Sequence, residues 1–169
     1  MVQRIAKIGI VACMVMLMSA LLAGCFGSGT AANDPNKQYR TYMSQVNQIM
    51  VEFDESLESF TDAVSRSDVV GMGNELDRAL KTLDKLDGLD VPASMNDIHE
   101  SYLAATEMLE AALGDYFELY TEIDAAAQDD APVDMSAYSA RIAEIQAAYD
   151  EGVQALQEAD AAAAKVSTN

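Results

Sequence analysis

The sequence predicts an all-α protein, an antiparallel up-down-up-down four-helix bundle that follows a cleaved signal peptide. Two observations carry that prediction. After residue 34, four stretches repeat apolar side chains at alternating steps of three and four, the spacing of one helix face. Short breaks rich in Asp, Ser, Gly and Pro separate the stretches, and connections this short lay consecutive helices side by side in opposite directions.

The chain opens differently. Arg4 and Lys7 form a positive head, Ile8 to Leu22 is an almost unbroken apolar run, and the small residues Ala23 and Gly24 precede Cys25. Charge, apolar run and small-residue cleavage site in that order describe a secretory signal. The alternative is a retained membrane helix, but the apolar run falls short of the ~20 residues that a comfortable span needs.

Leu22-Ala23-Gly24-Cys25 resembles a lipobox, and the chain is similar to bacterial lipoproteins in this motif and in the signal that leads into it. The resemblance implies cleavage between Gly24 and Cys25, diacylation of the Cys25 thiol, and Cys25 as the new N-terminus. A thiolate is the nucleophile that such chemistry requires, and two acyl chains hold a protein at a membrane where one binds only marginally. The resemblance also implies a lipid-anchored protein on the extracytoplasmic face of the cell membrane. Phe26 stands where, in two-membrane bacteria, an Asp is associated with retention at the inner membrane. The expected division is a signal peptide at 1–24, a lipidated cysteine and tether at 25–34, and a helical domain at 35–169.

Cys13 leaves with the signal and Cys25 carries lipid, so the domain has no thiol for a disulfide or metal, and its stability must come from its core. The net charge is −18, and removing Arg4 and Lys7 makes the mature chain two units more negative. Such a surface repels nucleic acid and anionic headgroups. It suits cations or basic proteins, or merely keeps an alanine-rich bundle soluble.

Residues 26–33 (FGSGTAAN) form a tether with a reach of roughly 15–20 Å, which keeps the domain near its membrane. Asp34-Pro35 starts the first helix, Pro fitting the first helical position. Its expected stripe is Tyr39, Met43, Val46, Met50, Phe53, Leu57, Phe60 and Val64, ending near Arg66. Ser67-Asp68 opens a second helix to about Asp87, the shortest of the four, with Met72, Leu76, Leu80, Leu83 and Leu86 inward. Gly71 and Gly73 weaken its first turns, and Gly88 is expected in the left-handed position that ends a helix.

Leu89 to Val91 should be extended, because a residue before proline avoids the helical region. The third helix then runs from near Pro92 or Ser94 to about Gln128 on Met95, Ile98, Tyr102, Ala105, Leu109, Leu113, Tyr116, Tyr120 and Ile123. Gly114 in its middle points to close packing, a bend or a tolerated defect. After the break Asp129 to Pro132, a fourth helix from about Asp134 turns Met135, Tyr138, Ile142, Ile145, Tyr149, Val153 and Leu156 inward. It fades through Ala161 to Ala164, with a fraying tail from Val166.

No catalytic set or cofactor motif follows the anchor, so the expected activity is non-enzymatic. His99 is the only histidine. A di-iron bundle wants two Glu-x-x-His motifs, and the position three before His99 is Asn96. Haem ligation by His99 with Met43 or Met95 is formally available, but a packed or half-exposed histidine is the plainer reading. Asp84, Asp87, Gly88 and Asp90 look like a fragment of a calcium loop without its spacing or closing Glu. Asp129, Asp130 and Asp134 form an acidic turn without a cage. No resident metal or cofactor is expected.

One cluster stands out. In an up-down-up-down bundle the starts of the first and third helices share an end, which brings Tyr39 and Tyr42 toward His99 and Tyr102. A second helix some ten residues short leaves a gap of about 15 Å there, to be plugged by Leu89 to Val91 or left as a groove. These four residues are the candidate ligand or partner site. The expected function is a membrane-tethered helical module that binds another protein, with small-ligand or cation binding as the alternative.

Overall fold

The apolar steps build four helices where the spacing places them. The computed structural model describes residues 35–128 and 135–166, and within them the fold is all-helical, with four helices packed together. They are α1 (Pro35–Arg66), α2 (Val69–Leu83), α3 (Asn96–Gln128) and α4 (Met135–Val166). The signal, Cys25, the tether, the side chain of Met135 and the acidic turn at 129–134 lie outside the described residues. No described helix is long and apolar enough to cross a membrane.

The turn between α1 and α2 is two residues long. The Asp68 N–H donates to Ala63 O and the Ser67 N–H to Val64 O, both at 3.0 Å. This pair of bonds closes a helix end when the residue after the cap is left-handed, and Ser67 is, at φ 58°. Asp68 then caps α2, its Oδ1 accepting from the Gly71 N–H at 2.9 Å. Gly88, by contrast, has no positive φ, so the sequence expectation of a left-handed glycine there is corrected. α2 ends instead by tightening into a 3-10 turn, Asp84–Leu86, whose carbonyls take up the Gly88 and Leu89 amides.

Backbones approach most closely within two pairs, α3 with α4 and α1 with α2. Small side chains make this approach feasible. Ala105, Ala112, Ala159 and Ala163 are buried on α3 and α4, while Ser56, Ala63 and Ala79 are buried on α1 and α2. The large groups Tyr42, Phe53, Phe60, Met72, Tyr102, Leu109, Leu113 and Tyr149 belong to one buried core shared by all four helices. Expected and observed stripes therefore differ in centre. On α1 the buried line is Tyr42, Val46, Ile49, Phe53, Ser56, Phe60 and Ala63, and the expected Tyr39, Met43, Met50 and Leu57 are half-buried at its edge. On α2 Ala79 goes in and Leu80 moves to the rim. On α3 Leu119 is buried, although the expected stripe omitted it. Val166 packs against the core as the last residue of α4, where a frayed tail was expected.

The glycines divide by what surrounds them. A methyl on Gly73 would meet Phe117 Cζ at 3.2 Å, so this residue lets α3 come near the start of α2. Gly114 has nothing within 4 Å and serves no close approach. Of the readings open at Gly114, close packing therefore falls away, and a close approach occurs instead at Gly152 on α4, against Leu109.

Candidate functional site

α2 is 15 residues long against 32 for α1 and α4 and 33 for α3. Its end is fixed by Lys85 donating to Glu52 Oε2 at 2.5 Å, a contact that holds Glu52 below the usual carboxylate range, with Gln48 assisting. Ten positions of α1, about 15 Å of rise, separate Glu52 from Tyr42. The chain crosses that gap as a bend at Leu89, an irregular stretch to Pro92 and a 3-10 turn, Ala93–Met95, which also packs on α4. Leu86 and Met95 are fully buried, with Leu89 and Val91 half-buried against the same core. The segment thus fills the place of the missing α2 turns.

Tyr39, Tyr42, His99 and Tyr102 come together at this end. The Tyr42 hydroxyl lies 3.1 Å from His99 Nδ1, the ring tautomer deciding which of the two donates. The rings meet edge to face with centroids 5.9 Å apart. Tyr39 donates to the Ala163 carbonyl at 3.1 Å. Tyr102 donates to Asp160 Oδ1 at 2.5 Å. Tyr42 and Tyr102 are each only 1 % exposed, so this layer is closed, its hydroxyls satisfied from within the protein as buried hydroxyls require. The nitrogen of His99 that faces the core is engaged by Tyr42.

Burial pushes the Tyr42 hydroxyl up to about 12. Burial, then the hydrogen bond and charge of Asp160, raises Tyr102 further. Asp160 is itself raised by burial, and the bond from Tyr102 pulls it part of the way back. The layer gathers three tyrosine hydroxyls and the His99 ring around one carboxyl group. A group of this kind can receive a hydrogen-bonding ligand only by surrendering its internal bonds.

Asp160 is the member that sequence reasoning missed. It sits in the alanine-rich end of α4, where the apolar stripe fades. The signal available was its place among Ala159 and Ala161 to Ala164 on a helix otherwise acidic only at its exposed positions. Among the described residues no group of three His, Cys, Asp or Glu side chains is placed to hold a metal. Burial, followed by the neighbouring charges of Asp84, Glu107 and Asp87, raises Glu110.

Comparison with models of protein families, with curated proteins and with solved structures found no match.

Proposed function

We propose that this chain is a membrane-anchored extracytoplasmic lipoprotein whose helical domain is a non-enzymatic protein-interaction module. One observation carries the reading: Leu22-Ala23-Gly24-Cys25 closes a charged and apolar leader with a lipobox. Cys25 is the lipidated residue and Gly24 the last one removed. The tether then sets the start of α1, and with it the Tyr/His layer, close to the membrane.

The up-down-up-down arrangement belongs to the same proposal, and side-chain pairs support it. Tyr42–His99 and Phe60–Tyr116 advance together along α1 and α3, as two parallel helices would. Tyr102–Asp160 and Glu122–Tyr138 advance in opposite senses along α3 and α4. Tyr39, Tyr42, His99 and Tyr102 remain the candidate contact residues at the membrane end, and the acidic surface disfavours nucleic acid.

Detergent phase partitioning of cell extracts tests the anchor. Wild type enters the detergent phase, whereas Cys25→Ser yields an unprocessed or shed protein. Detergent phase entry by processed Cys25→Ser protein would refute it. Capture from solubilised membranes, set against thermal shifts with divalent cations and small ligands, separates the interaction module from a ligand-binding protein.

A further inference from the structure

The bonds of the Tyr/His layer are arranged about one pair. Tyr102 and Asp160 join α3 to α4. One turn along α4, Ala163 receives Tyr39, and one turn back along α3, His99 meets Tyr42. Both flanking bonds come from α1. They tie the first hairpin to the second here, whereas Lys85–Glu52 and Arg141–Glu122 stay within a hairpin. Tyr39 and Tyr42 also act electrostatically on Tyr102, which places the α1 tyrosines beside the pair.

We propose that the Tyr102–Asp160 pair, flanked by the α1 tyrosines, is a proton-controlled latch that sets how firmly the start of α1 is held on the α3–α4 hairpin. Lifting α1 lets water reach Asp160. With α1 seated, burial raises the carboxyl above its ordinary range, so opening releases a proton. The latch's contribution is complete below the ordinary carboxyl value and is lost as pH rises through the raised one. Acid tightens the end and alkali loosens it. The surrounding titratable groups are Tyr39 and Tyr42 on α1 and His99 and Tyr102 on α3, while the turn Ala93–Met95 brings none. Lys37, Arg40, Asp97, Glu100, Glu158 and Lys165 at the same end are exposed.

Hydrogen exchange of the full chain in detergent, read by mass spectrometry from below the ordinary carboxyl range up to neutral pH and corrected for chemical exchange rates, tests the latch. In wild type, protection of residues 36–46 falls relative to the Ser67-Asp68 end, by up to about tenfold per pH unit within the transition. Asp160→Asn keeps an acceptor for Tyr102 but loses the charge, and its profile is flat. Tyr102→Phe removes a donor to the carboxylate, and the fall deepens. A wild-type slope in Asp160→Asn, or an equal slope at both ends of α1, overturns the proposal. Should Asp160→Asn fail to fold, Tyr39→Phe with Tyr42→Phe decides. The latch requires low protection of residues 36–46 already at the acid end of the range, and wild-type protection there overturns it.

Discussion

Gly152 lies directly under Leu109: a methyl built on it would sit 2.9 Å from Leu109 Cγ and Cδ2 and 3.3 Å from the Leu109 N. Leu109 is fully buried, so it has nowhere to move. This contact sets the distance between α3 and α4. Gly152→Ala should therefore destabilise the bundle by about 1–2 kcal/mol, overpacking exceeding the helical gain of alanine. A raised melting temperature would show that the helices can part at no cost.

Gly114 is the opposite case. With nothing within 4 Å of a new methyl, Gly114→Ala should stabilise by about 0.5–1 kcal/mol through helix propensity alone. Urea midpoints of the two alanine variants on one background provide the comparison.

Ser67 holds a left-handed φ of 58°, which costs a side-chain-bearing residue roughly 1–2 kcal/mol. Ser67→Gly should keep the Ala63 and Val64 bonds of the turn and gain about 0.5–1 kcal/mol. A loss of stability, measured by thermal melting, would mean that the serine hydroxyl contributes more than the backbone strain costs.

Much of the fold was legible because helical spacing survives any choice of partner. Phe53, Phe60, Leu76, Leu83, Leu109 and Leu113 could be assigned to a core from period alone. The centre of each stripe was less legible. Ser56, Ala63 and Ala79 are buried because a neighbouring backbone comes close, and nothing in their own chemistry announces that neighbour. The same reason hid the close glycine contact at Gly152, and left close packing as only one of the readings open at Gly114. At the Tyr/His end, topology brought Tyr42 to His99, while Asp160 depended on which face of an alanine-rich helix turned inward.

Tyr102→Phe separates a structural layer from a binding surface. Deleting the hydroxyl leaves the partly buried Asp160 carboxylate without its bond and should cost about 1–3 kcal/mol. A variant as stable as wild type, judged by denaturant titration, would contradict the closed arrangement and favour a site open to ligand.

Leu83→Asp tests the core itself. Leu83 is 2 % exposed, and an unpaired carboxylate there should cost about 3–5 kcal/mol. The melt should be cooperative and unaffected by reductant, and an unchanged midpoint would take α2 out of the core.

The central claim is that a lipid on Cys25 tethers this bundle, and mass spectrometry of the N-terminal peptide of protein purified from membranes tests it most directly. The account predicts a peptide that begins at Cys25 and carries the added mass of a diacylglyceryl group. A peptide that still contains residues 1–24, or an unmodified Cys25 on the mature protein, would contradict it.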